Sequence, residues 1–291
     1  MDSNDWLQVI LRFDWSNKHF QKQFKAKLRT DLNCMPSYFY GTIWKKLVHS
    51  QRNGSVLSML EYQDLLTETT FKFESEIRRD IHRTFPQLKF FREANSIGQQ
   101  ELFKVLKAVS IQNPEVGYCQ GMGFIAGILL SHMCELDAFN VLSVLMDGEM
   151  GGLYKPGLPL LPKYLSQLSG MIESEIPNLF AHFQQVGIDV SMFGSQWVLS
   201  LFIYSLSFPK AVTLFNLFLI YRMNVVLLFG VFVLKRMEAA LMKIQFEEIL
   251  TRINSLDAPD MNQFMQWLED EGGWNAAERR SVRPEDDETR S

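Results

Sequence analysis

The chain has 291 residues, 47% of them hydrophobic and 21% charged, enough to bury a large core in one big domain or two lobes. Its formal charge is -4, so the basic domain or stripe of a nucleic-acid binder is missing and no nucleic-acid partner is expected. Three cysteines, Cys34, Cys119 and Cys134, fit no paired framework and no C-x-x-C spacing, which points to a reducing compartment and away from a disulfide-built secreted protein.

The amino terminus, "MDSNDWLQVI", carries acid where a signal peptide needs a basic region ahead of its apolar run, and a cytosolic chain is expected. Residues 1–34 are read as a helical extension. Strand signals are scarce; apolar positions recur at three and four in segment after segment. After the loop "HSQRNGS" comes "EIRRDIHRTFP", Glu76 to Pro86. On a helical wheel Ile77, Ile81 and Thr84 share the inner face, and Asp80 precedes Arg83 at an i,i+3 spacing that lets the carboxylate hold the guanidinium. Pro86 disfavours helix at Phe85, which places Arg83 in the last turn with its side chain projecting from the tip. On spacing alone, a cation complementing the helix dipole accounts for this arginine better than catalysis does. Arg78, Arg79 and His82 read as solvated charge.

In "SIGQQELFKVLKAVS", Ser96 and Gln99 resemble a capping box, and Leu102, Val105, Leu106 and Val109 form a buried stripe. The loop "IQNPEVG" leads into "GYCQGM", where Gln120 offers a carboxamide at a loop-to-helix junction beside Gly121 and Gly123; alone this is a turn. "GMGFIA" matches G-x-G-x-x-A, but no strand feeds it and the nearest downstream acids are Glu135 and Asp137, so a nucleotide cofactor is not expected. Small residues allowing close backbone approach explain the glycines. Cys119, His132 and Cys134 lack the paired spacing of a zinc site, and no nucleophile elbow is present. The helix in "GFIAGILLSHMCE" is expected to run through Phe124, Ile128, Leu129 and Met133.

Beyond the loop "GGLYKPGLPLLPK", "YLSQLSGMIESEIPNLFAHFQQVG" reads as two helices broken near Pro177 and stopped at Gly187. The apolar stretch from Trp197 to Lys235 is cut at Pro209 and Lys210 and again at Arg222 and Asn224. No piece reaches the roughly 18 residues of a membrane span, and buried core helices are expected. "RMEAALMKIQFEEILTRI" is amphipathic to its end, and residues 275–291 read as a charged, disordered tail.

Taken together, "IRRDIHRTFP" and "NPEVGYCQGM" resemble the I-x-x-D-x-x-R and Y-x-Q motifs of the TBC domain, the Rab GTPase-activating fold. The likeness runs from about Met35 to Ile253, through "LLPKYLSQLSGMIESEIPNLFAHFQQVG" with His182 and Phe183 and the Trp197 segment. It implies an all-α, TBC-type domain of many short helices in two lobes over residues 35–274. It further implies that Arg83 and Gln120 act in trans on a GTP-bound Rab-type small GTPase, supported by Asp80, Tyr118 packed beneath the glutamine loop, Gly121, Ile77 and Trp44. The protein then needs no cofactor or metal of its own, because Mg²⁺ and GTP arrive with the partner. Membrane association is transient, through that partner at endomembranes.

This chain departs from the family pattern at Tyr40, four residues before Trp44, where the family has arginine. In "TLFN", Thr213 and Asn216 stand where the family carries the charges of R-I-W-D. These losses motivate an alternative: a catalytically weak or inactive TBC-fold interaction module that binds a GTPase or another protein without accelerating hydrolysis.

Overall fold

The computed structural model describes residues 3–31, 35–50, 56–69, 71–255 and 260–279. Cys34 and the "QRNGS" part of the first loop lie outside them. Every regular element among the described residues is helical, as the apolar spacing predicts. The chain divides into two compact units, Met1–Gly157 and Leu158–Ser291.

The first unit begins with α1 (Ser3–Leu11), α2 (Lys18–Asp31), α3 (Tyr40–Ser50) and α4 (Met59–Thr67). Trp6 and Phe24 meet edge to face between α1 and α2, with Phe13 and Trp15 closing the cluster. Ser58 caps α4 in a full capping box with Glu61, which satisfies two backbone N–H donors at the start of the helix. The chain continues with α5 (Glu74–Ile81), α6 (Lys89–Arg92), α7 (Ile97–Gln112), α8 (Met122–Leu130), α9 (Glu135–Met146) and α10 (Glu149–Tyr154). The buried face of α7 is the expected stripe of Leu102, Val105, Leu106 and Val109, and it packs on α8 and α9.

Helix α8 is buried along its whole length, so it forms the centre of this unit and α5, α7 and α9 pack around it. It ends at Leu130, short of the expected Met133, because Ser131 turns its hydroxyl back to the Gly127 carbonyl and His132 bonds its own turn at Ile128. The Ser96 cap is also half of what its spacing suggests. Ser96 accepts from Gln99 N–H, but the Gln99 side chain turns to Asn95 N–H and Phe91 C=O and leaves the box open.

The second unit holds α11 (Leu161–Glu175), α12 (Pro177–Val186), α13 (Ser191–Leu199), α14 (Phe208–Tyr221), α15 (Met223–Leu241), α16 (Phe246–Asn254), α17 (Met261–Asp270) and α18 (Gly273–Arg279). Pro177 opens α12, and Gly187 closes it with a left-handed φ of 80°, the conformation that Gly adopts without a Cβ penalty. The core is α15, buried on every side from Met223 to Leu234 and packed by α11, α13, α14 and α18. Among the described residues no helix is long and apolar enough to cross a membrane.

Three expectations need correction here. Only Arg222 breaks the apolar stretch between α14 and α15; Asn224 lies inside α15, where its amide donates to the Ala277 carbonyl at 3.0 Å. The amphipathic run after Arg236 is two helices, α15 and α16, with a turn at Met242–Gln245 between them. The segment expected to be tail begins as α18, with Trp274 4% and Ala277 0% exposed, since both have an apolar surface to bury against. Residues 280–291 of that expected tail lie outside the described residues.

Candidate functional site

Helix α5 is short and strongly two-faced. Ile77 is fully buried and Ile81 6% exposed, while Arg78 and Arg79 lie outward. Arg78 is engaged on that surface by Glu74 at 2.7 Å and by the face of Phe103. The helix ends at Ile81, earlier than the proline suggests. Arg83 therefore sits past the helix, in a turn closed by its own N–H on the Asp80 carbonyl, and not in the last helical turn. Two residues on, Phe85 adopts a left-handed φ of 46°. That conformation is costly for a bulky residue and persists only where the surroundings impose it.

The guanidinium of Arg83 is half exposed and donates to Asp80 Oδ1 at 2.5 Å, the contact its i,i+3 spacing predicts. Asp80 is 8% exposed, and its other oxygen accepts the Tyr118 hydroxyl at 2.5 Å. The Asp80 carbonyl also takes the Thr84 hydroxyl at 2.9 Å. Burial, followed by the bond to Asp80, pushes the Tyr118 phenol far above its ordinary value and fixes it as a donor. One carboxylate thus joins the two motifs.

Tyr118 carries the loop that holds Gln120. Gln120 lies two residues after Tyr118, so the Tyr118 bond to Asp80 anchors the start of the segment that carries it. Gln120 is exposed in a turn, and its carboxamide makes no hydrogen bond among the described residues. Gly121 follows with φ 113°, a value that excludes a side chain, and starts α8 at Met122. Upstream, Asn113 gathers the Val116 and Gly117 N–H groups on its carbonyl, and its amide reaches Ser143 at 3.1 Å. The loop is braced at both ends while its tip is open to solvent.

Of the residues singled out in the sequence, Arg83, Asp80 and Tyr118 are joined by hydrogen bonds, Ile77 is buried in the same helix α5 as Asp80, and Gln120 and Gly121 follow Tyr118 in the chain ahead of α8. Trp44 is not part of that group: it is fully buried in α3, stacked on Tyr40 at 5.7 Å and against His132 at 4.9 Å. Its place is in the packing of α3 on α9. The Tyr118 to Asp80 bond was not anticipated, for tyrosine was expected only to pack beneath the loop. The signal for it was the buried aspartate itself, which needs a donor for each oxygen.

No group of three or more His, Cys, Asp or Glu among the described residues is placed to hold a metal ion. Cys119 is half-buried, and burial followed by the nearby Asp80 charge pushes its thiol up to about 11. An exposed guanidinium held by a buried carboxylate, beside a free carboxamide, can enter a partner's anionic site and orient a water there.

Comparison with known proteins adds the family. Residues 39–242 match the model of the Rab-GTPase-TBC domain. The chain is 35% identical over 246 residues to the human ecotropic viral integration site 5 protein homolog, covering 84% of this chain and 30% of that protein. It is 33% identical to the Caenorhabditis elegans Rab GTPase-activating protein eat-17, covering 84% of this chain and 27% of that one. The chain therefore spans under a third of these relatives. Among solved structures it is similar to the Chlamydomonas flagellar RabGAP TBC domain, with TM-score 0.73 and 22% identity over 89% of this chain and 86% of that one. It also superposes on the Ypt/Rab-GAP domain of Gyp1p with TM-score 0.71 and 19% identity, over 93% of this chain and 98% of that one.

Proposed function

This chain belongs to the Rab-GTPase-TBC domain family, and from that premise we propose that it accelerates GTP hydrolysis on a Rab-type small GTPase, with Arg83 and Gln120 as the two groups it inserts. Water attacks the γ-phosphorus, the bond to the β-γ bridging oxygen breaks, and GDP and phosphate leave. Negative charge grows on the bridging and γ oxygens, and Arg83 meets it. Gln120 accepts a hydrogen bond from the attacking water and donates with its amide, holding the water in line. The GTP and its Mg²⁺ belong to the GTPase, and this chain supplies no cofactor. A charge delivered this way accelerates hydrolysis by ~10³ to 10⁵, or about 4 to 7 kcal/mol of barrier.

The observation that carries this reading is the Asp80 carboxylate, which holds Arg83 on one oxygen and the Gln120 loop, through Tyr118, on the other. A guanidinium already restrained by an ion pair loses less rotamer entropy when it enters the nucleotide pocket. The partner is expected to be GTP-loaded, and contact with endomembranes to be peripheral, through that partner. A single-turnover hydrolysis screen against purified Rab proteins, with wild type and Arg83→Ala side by side, tests the proposal. Full activity of the arginine variant would end it.

The alternative, a GTPase-binding module without catalysis, rests on Tyr40, Thr213 and Asn216. Tyr40 stacks on Trp44 at an interplanar angle of 10°, and Thr213 bonds back to the Pro209 carbonyl in its own helix. Both side chains serve their own helices. Stable binding to a GTP-loaded Rab protein with no turnover would favour the module.

A further inference from the structure

The sequence "GMGFIAG" has no role in the proposed chemistry, yet the structure gives its last two glycines a specific neighbour. Gly123 and Gly127 are four apart on α8 and so lie on one face of it. That face receives the turn carrying Arg83. A Cβ on Gly127 would stand 2.9 Å from Cδ2 and Cε2 of Phe85 and 3.1 Å from Cγ2 of Thr84. A Cβ on Gly123 would stand 3.1 Å from the Thr84 hydroxyl, the group that bonds the Asp80 carbonyl. The Gly127 contact is closer than packed carbons tolerate, so a larger residue there must displace the Phe85 ring, and one at Gly123 requires the Thr84 hydroxyl to give by a few tenths of an ångström.

Phe85 and Thr84 are the anchors on the other side. They are 3% and 1% exposed, and they follow Arg83 directly in the chain. The Phe85 ring is held by Phe124 of α8 at 5.8 Å and by Phe91 at 6.3 Å. This burial offsets the cost of its left-handed φ of 46°. Helix α8 in turn begins directly after Gln120 and Gly121. The arginine turn and the glutamine loop are therefore attached to the same helix, one on its flank and the other at its start.

We propose that Gly123 and Gly127 are positioning residues that form a seat for Thr84 and Phe85 and thereby set the distance and angle between the Arg83 guanidinium and the Gln120 carboxamide. The proposal rests on the reading of Arg83 and Gln120 as the inserted pair, and deepens it. A turn pushed off the seat by one methyl group still folds and still offers its outer surface to the GTPase. It presents the guanidinium away from the place where charge develops. The loss falls on the transition state and spares ground-state binding.

The test is Gly127→Ala, assayed with a purified Rab protein that the wild type activates. Gly to Ala raises helix propensity but crowds the Phe85 ring, so a purely structural role for Gly127 predicts a shifted melting temperature with unchanged turnover. The seat predicts that kcat falls at least tenfold with KM within twofold. It also predicts that affinity for the GTPase carrying GDP and aluminium fluoride falls in step, while affinity for the GTPase carrying a non-hydrolysable GTP analogue does not. Adding Phe85→Leu, which removes the crowded part of the ring, is expected to return at least half of the lost kcat. Wild-type kcat in Gly127→Ala overturns the seat, and so does a joint loss of kcat, KM and melting temperature that Phe85→Leu leaves unrepaired. Should Gly127→Ala fail to fold, Gly123→Ala carries the same test: a severalfold loss of kcat alone supports the seat and wild-type kcat overturns it. Arg83→Ala, run in parallel, separates the two levels. If it is inactive while Gly127→Ala is normal, the seat alone is wrong; if it is fully active, the functional reading itself fails.

Discussion

Tyr118 and Arg83 bond opposite oxygens of a single carboxylate: the phenol donates to Asp80 Oδ2 and the guanidinium to Asp80 Oδ1, each at 2.5 Å. The tyrosine is buried and held protonated, whereas the arginine is half exposed, so the pair links a fixed anchor to a group free to reach outward. Tyr118→Phe removes one hydroxyl and keeps the ring. A hydrogen bond to a charged group contributes about 1.5 to 3 kcal/mol, and the buried carboxylate left with one donor turns more fully to Arg83. The expected outcome is a loss of about 1 to 2 kcal/mol in urea unfolding and about tenfold in stimulated kcat. Unchanged kcat would show that the bond serves stability alone.

Asp80→Asn keeps the shape of that side chain and removes its charge. The amide keeps one acceptor oxygen where Arg83 and Tyr118 each used one, and it carries no charge, so the ion pair is lost and the guanidinium is held less firmly. A loss of about ten- to a hundredfold in kcat is expected, smaller than the roughly 10³-fold or greater loss for Arg83→Ala, because the charge remains in the molecule but is no longer aimed. Single-turnover rates with a saturating activator compare the two directly. An Asp80→Asn variant as inactive as Arg83→Ala would mean that Asp80 does more than aim the arginine.

Much of this arrangement was legible in the sequence, and the rest was not for identifiable reasons. The Asp80 to Arg83 pair follows from an i,i+3 spacing, and the α7 stripe from apolar periodicity, because both are local. The Tyr118 to Asp80 bond links residues on different elements, which no periodicity encodes. Helix ends were read less well. Pro86 marks where helix is forbidden, but α5 stops at Ile81, so the proline bounded Arg83's position without fixing it. Asn224 looked like an interruption because a polar residue in an apolar run usually is one. The Ala277 carbonyl that accepts its amide lies in a segment whose composition suggested disorder.

That contact makes a separate prediction about the second unit. Asn224 is 7% exposed, and its amide ties α15 to α18. Asn224→Ala leaves the Ala277 carbonyl without this donor and costs about 1 to 3 kcal/mol. Hydrogen exchange is expected to quicken first across residues 273–279, with α11 and α13 changing little. Uniform quickening throughout the unit would mean that α18 opens only with the whole core.

The stability of the first unit should depend on pH through His132. Its ring lies against Trp44 at 4.9 Å and Tyr40 at 5.4 Å, and burial lowers its pKa from 6.5, an effect that the Nδ1 contact with the Ile128 carbonyl at 3.0 Å only partly opposes. Above pH 6.5 the imidazole is neutral in the folded and unfolded chain alike, and the contribution is fully present. As pH falls below 6.5 the unfolded chain binds the proton first, so stability declines until the pH passes the folded-state value. His49 acts with the same sign, lowered mainly by burial and then by Lys45, with Asp137 opposing. His132→Phe keeps an aromatic ring in the stack and removes the titration. It is expected to cost about 1 kcal/mol at pH 7.5 for the lost hydrogen bond, and to flatten the fall in stability toward pH 5 relative to wild type, with His49 supplying the remaining slope. Urea midpoints at pH 7.5, 6.5 and 5 for both proteins measure the difference. Parallel declines would mean that the imidazole titrates alike in both states and that the stack does not keep it neutral.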